Sequence, residues 1–166
     1  MSLFASDDDA CRALIGVLKE ILPEVSFIGG AEEPVYVAPK GGAPAEVHFR
    51  SNYPRSLLHE LSHYCLAGDR RRGLDDFGFW YTPCGRSEQE QYEFEMVEAR
   101  PQGLEKAMCE IVGLPFTPSL DDFSGRPPSD SFVAGMHEAY LEMTSNPPPT
   151  AKKILLGLNG LIAKAK

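Results

Sequence analysis

The run His59-Glu60-Leu61-Ser62-His63 constrains this chain more than any other stretch. On a helix, residues four apart lie one turn above each other on one face. Two imidazoles so placed can hold one metal ion from one side, with the glutamate between them available for acid–base work. The flanks predict the helix that the pattern needs. Pro54 suits a first turn, Asn52 or Tyr53 can cap it, and Gly68 can end it. At about 100° per residue, Leu57, Leu58, Leu61, Tyr64 and Cys65 gather on one side, while His59 and His63 lie roughly opposite. A core can therefore grip one face of the helix while the histidines look into a cleft. The competing reading is a chance match, with ordinary surface or core histidines.

Two histidines need at least a third protein ligand for a typical catalytic site. Ser87-Glu88-Gln89-Glu90 has the form of a capping box and opens a helix through about Ala99. That helix offers Glu93, Glu95 and Glu98. Phe94, Val97 and Glu98 share a side, and a carboxylate drawn inward there needs a partner such as a metal. Glu98 is therefore the expected ligand, ahead of Glu95. Spacing alone leaves open two chemistries. One is zinc hydrolysis with Glu60 as base. The other is a 2-His-1-carboxylate iron site with open positions. A third class, a non-catalytic adaptor with a structural metal, would need a fourth ligand that the sequence does not offer.

The remaining elements predict an α+β fold. A small antiparallel sheet packs with the metal helix and further helices, zincin-like in arrangement by analogy. Apolar spacing predicts a helix over 8–22 and strands over 25–28, 34–38 and 45–50, the last two forming a hairpin. Pro101 is expected to kink or restart the chain, with a second helical stretch over 102–112. Helices follow over 131–143 and 150–166. The 166 residues suit one catalytic domain over 1–146, with a proline linker and an amphipathic helix over 147–166 packed on it.

The net charge of −8 argues against direct nucleic-acid binding. No apolar run is long enough to span a bilayer, so no membrane partner is expected. Cys11, Cys65, Cys84 and Cys109 form no C-x-x-C pair, and the acidic Met1–Ala10 stretch lacks the basic start of a signal peptide. Reduced thiols in a cytoplasmic protein are the expectation. Against the acidic background, Arg70-Arg71-Arg72 reads either as a solvated loop complementing a helix C-terminus or as a docking patch for an anionic partner. Phe77 to Tyr81 concentrates aromatic residues, among them Trp80, which can pack a loop or wall a pocket and keep water out.

Several segments resemble the elongation factor P hydroxylase family of bacterial proteins. They are Glu33-Pro34-Val35-Tyr36, Leu58 to Gly68, Arg71-Arg72, Asp75 to Tyr81, Gly85-Arg86, Phe94-Glu95, Val97-Glu98, Pro101-Gln102 and Gly113 to Phe116. In order, they cover most of residues 30 to 135. The resemblance implies an iron-dependent monooxygenase that uses O₂. Its partner is the lysylated form of elongation factor P, whose (β-lysyl)lysine becomes a hydroxylysine. It further implies His59, His63 and Glu98 as Fe(II) ligands, with Glu60 beside them. Zn(II) outcompetes Fe(II) in many N/O sites and is an expected substitute in purified protein. Asp75, Asp76 or Glu95 could accept the substrate's ammonium groups, with Trp80 and Tyr81 around them. The order of ligands departs from H-x-D/E followed by a distant His, so oxoglutarate is not expected. Elongation factor P is generally acidic, which makes Arg70, Arg71 and Arg72 the expected docking residues.

Overall fold

The computed structural model describes residues 3–80, 85–120 and 124–165. Among the described residues, five α-helices accompany a three-stranded sheet: α1 (Asp7–Ile21), β1 (Val25–Ala31), β2 (Val35–Val37), β3 (Ala45–Arg50), α2 (Pro54–Arg72), α3 (Glu88–Val112), α4 (Asp130–Ser145) and α5 (Pro149–Ala165). The class is α+β.

Strand β3 lies in the middle. It pairs antiparallel with β2, as the hairpin requires, and parallel with β1. The sheet is therefore mixed, not antiparallel. Alternation in the sequence tells which face of a strand is buried, but not which edge its neighbour takes. Phe27, Val47 and Tyr36 fall opposite one another across the three strands, and all three are buried. Against this face pack Leu57, Leu58 and Leu61 of α2, which are fully buried. Each leucine contributes about 2–5 kcal/mol relative to alanine. That anchoring fixes the opposite side of α2, where the histidines are.

Two expected helix boundaries shift. Gly68 does not end α2: it takes φ 71° and ψ 168°, and helical geometry resumes to Arg72. The break orphans carbonyls one turn back, and Arg72 reaches over them. Its Nε donates to the Tyr64 carbonyl at 2.9 Å and its Nη2 to the Cys65 carbonyl at 3.3 Å. Pro101 does not end α3 either. A proline inside a helix costs about 3 kcal/mol through a lost hydrogen bond and a ring clash. Here Phe94, Leu104, Met108, Cys109 and Val112 are buried along the same helix, and their packing outweighs that cost. The start of α3 carries the expected capping box, with Glu90 N–H donating to Ser87 Oγ at 3.2 Å and Ser87 N–H to Glu90 Oε2 at 2.7 Å. Gly103 lets α4 approach, since a Cβ there would sit 2.7 Å from Ala139 Cβ. Helix α5 begins at Pro149 and buries Ala151, Ile154, Leu155 and Leu158 against α1 and α3.

Candidate metal centre

Helices α2 and α3 face each other with matching stripes. From α2 come Arg55, His59 and His63, each one turn apart; from α3 come Glu98, Gln102 and Glu105. The helices run antiparallel here, so Glu98 meets the histidine pair and Glu105 meets Arg55 and His59. His63 Nε2 lies 3.1 Å from Glu98 Oε1, His59 Nε2 lies 3.4 Å from Glu98 Oε2, and the two Nε2 atoms are 3.2 Å apart. One donor atom from each of these residues falls within 4.8 Å of the other two. Donors bound to a common ion at about 2.1 Å lie roughly 3–3.4 Å from one another, so the set fits a single metal ion.

The electrostatics are those of a site built for a cation. Burial pulls the His59 pKa down, but its hydrogen bond to Glu105 and the charge of Glu98 outweigh it and lift it to about 10. Burial alone would raise Glu98, yet the charge and hydrogen bond of His63, with His59 beside it, hold it at about 2. The proton that His59 holds thus plays the part that a metal ion would take over on binding. Glu60 lines the same cleft, and burial raises its pKa against the pull of the two histidines.

The surroundings of the two histidines differ. His59 Nδ1 sits 2.9 Å from Glu105 Oε2. Arg55 donates to Glu105 Oε1 from Nε at 3.1 Å and Nη2 at 2.8 Å, and also to the Thr117 carbonyl at 2.8 Å and Oγ1 at 3.1 Å. Gln102 donates to Glu98 Oε2 at 3.5 Å and to the Ser119 carbonyl at 2.7 Å. His63 instead lies near-parallel to the Phe77 ring at 6.3 Å, and Phe77 stacks on Tyr36 at 4.0 Å. Phe77 belongs to the short turn Asp75–Gly78, where Asp76 and Phe77 both take left-handed φ values of 49° and 57°. Such a conformation costs about 1–2 kcal/mol per residue. The turn is held by carboxylates on the free edge of β2. Asp76 Oδ1 accepts from Tyr36 N–H at 3.0 Å, and Asp75 Oδ1 from Ala38 N–H at 2.9 Å.

These donors open onto a cleft of about 430 Å³, walled by Tyr53, Phe77, Phe79, Trp80 and Phe94 and bearing the carboxylates of Glu33, Glu60 and Asp76. The model of the elongation factor P hydroxylase family matches residues 21–156 of this chain. The chain belongs to that family. A Haemophilus influenzae protein named elongation factor P lysine hydroxylase is 40% identical over 102 residues, 61% of this chain and 57% of the relative. The aligned stretch thus spans little more than half of the relative's length. The family match takes in all the segments on which the resemblance was drawn, and it does not favour the peptidase reading.

The expected site residues fall in three groups. His59, His63, Glu98, Glu60, Asp76 and Trp80 line the cleft together, Trp80 being 84% exposed. Glu95 and Asp75 are turned elsewhere. Glu95 is buried, accepting from Ser129 Oγ at 2.6 Å and Gln91 Nε2 at 3.4 Å, and it does not reach the cleft. Asp75 is exposed and paired with Lys40 Nζ at 2.8 Å. Tyr81 lies outside the described residues. The arginines also part company. Arg72 is occupied as a helix cap and stacks over Tyr64, while Arg71 donates to the Phe77 carbonyl at 3.0 Å and lies over Phe79. Arg70 is exposed and makes no side-chain bond among the described residues. The sequence reading missed Glu105, Arg55 and Gln102. Their signal was available: Arg55 is one turn before His59, and Glu105 two turns after Glu98. Among the described residues, no helix is long and apolar enough to cross a membrane.

Proposed function

We propose that this chain is an iron-dependent monooxygenase that hydroxylates the (β-lysyl)lysine of elongation factor P in the cytoplasm. The observation that carries the reading is the convergence of His59, His63 and Glu98 in a chain of this family. The name of the 40% identical relative supports the same substrate. Hydroxylation of an unactivated C–H bond consumes O₂ and two reducing equivalents from an external donor and releases water. Side-chain acids and bases cannot break such a bond, whereas iron bound by two histidines and one carboxylate supplies that chemistry.

The protein's own residues bind, orient and exclude water. His59, His63 and Glu98 would hold the iron. Glu60, beside them with a raised pKa, is placed to hold or pass a proton at its carboxylate. Asp76 and Trp80 at the cleft wall suit an ammonium group, through ion pairing and the face of the indole ring. Arg70 is the arginine left to attract an acidic partner. The sheet beside the metal helix is zincin-like in arrangement, a likeness of packing that does not carry the peptidase chemistry with it.

Intact-mass analysis of lysylated elongation factor P tests the proposal. Incubation with the iron-loaded protein and a reductant adds the mass of one oxygen atom in air, none under argon, and none with Glu98→Ala. Cleavage of casein that is lost in Glu60→Gln, with no mass gain on the factor, overturns it.

A further inference from the structure

Glu105 and Arg55 lie outside the donor set, yet both are tightly placed against it. Glu105 is 2% exposed. Arg55 forms a bidentate pair with one of its oxygens, and the other faces His59 Nδ1. A buried ion pair is a poor way to stabilise a core, because desolvation offsets most of the attraction. What the pair does supply is direction. A carboxylate accepts hydrogen bonds, so Nδ1 of His59 keeps its proton, and Nε2, which lies toward Glu98 and His63, is the nitrogen that gives up its proton to a metal ion. Arg55 in turn fixes the carboxylate by binding Glu105 and the Thr117 backbone together.

We infer that Glu105, clamped by Arg55, is a positioning residue that selects the Nε2-donating form of His59 and aims it at the metal. The role rests on the metal reading proposed for His59, His63 and Glu98, which binding to the wild-type chain tests separately. A histidine ligand whose second nitrogen is held by a carboxylate loses 10–100-fold in metal affinity when that partner is removed.

The test is a Co²⁺ titration of the full chain, followed by the visible bands of the bound ion, with circular dichroism and thermal melts alongside. Wild type binds Co²⁺. Glu105→Ala binds it about 10–100-fold more weakly, with altered bands. Glu105→Gln, which has one amide oxygen for two sets of donors, binds it more weakly than wild type but no more weakly than Glu105→Ala. Arg55→Lys, which keeps the carboxylate but loosens its clamp, lies between wild type and Glu105→Ala. If Glu105→Ala does not fold, a loss of affinity in Arg55→Lys supports the role, and wild-type affinity and bands in Arg55→Lys overturn it. A folded Glu105→Ala with wild-type affinity and bands overturns it too, whatever its melting temperature. A wild-type chain that ignores Co²⁺ removes the metal reading and this role with it.

Discussion

His59 and His63 stand one turn apart on the same helix and face the same carboxylate, but they are held by different physics. His59 is fixed by charge and hydrogen bonds running through Glu105 and Arg55 to Thr117. His63 is fixed by flat aromatic surface, Phe77 and behind it Tyr36. Hydrogen bonds are directional, so the first arrangement sets the angle and proton position of a ring. Stacking is broader in geometry and gives its energy mainly through burial. One side of the centre is thus tuned for direction, and the other for stability and dryness.

The largest effect should come from the group both sides share. Glu98→Ala is expected to abolish metal binding and hydroxylation together, measured by Co²⁺ titration and by the mass of the factor. Retained binding would mean that the two histidines do not depend on it.

The next effect separates the sides. Phe77→Ala should cost about 3–5 kcal/mol of stability through the lost packing, read from urea unfolding, with Co²⁺ affinity changed much less. Equal losses of stability and affinity in both Phe77→Ala and Glu105→Ala would erase the contrast.

A smaller effect follows from pH. In metal-free protein the raised pKa of His59, about 10 against an ordinary 6.5, stabilises the fold fully below 6.5 and is lost as pH rises through about 10. The lowered pKa of Glu98, about 2 against an ordinary 4.5, contributes fully above 4.5 and is lost as pH falls through about 2. Melting temperature after chelation should therefore decline on the alkaline side over the first window and on the acid side over the second. Glu105→Gln should shallow the alkaline decline, because it removes one of the charges that hold the proton on His59. A flat alkaline side in wild type would count against the charged description.

The smallest effect belongs to the rim. Arg70→Glu should lower kcat/KM on intact elongation factor P at low salt, and the difference should shrink as salt is added. An unchanged kcat/KM at low salt removes Arg70 from docking.

Much of this was legible in the sequence because it is periodic. The spacing of leucines and histidines gave α2 its two faces, and Phe94, Val97 and Glu98 marked the inward side of α3. The capping box at Ser87 gave the start of that helix. Other features depend on what lies across space. The place of β1 beside β3 leaves no mark in either strand. Pro101 is tolerated because the burial of α3 outweighs its local cost. Arg72 read as a docking charge because the carbonyls it caps exist only once Gly68 bends the helix. Glu95 and Glu98 both point inward, but Ser129 from a distant element waits for the first and the histidines for the second.

The turn that carries Phe77 also closes the outer side of β2, since Asp75 and Asp76 take the two amide groups that the short strand would otherwise present to solvent. An unsealed strand edge is an invitation to pair with another chain. Mouth shape and colloidal behaviour are therefore written into the same four residues. Reshaping this turn to admit a different side chain will also decide whether the protein stays dispersed.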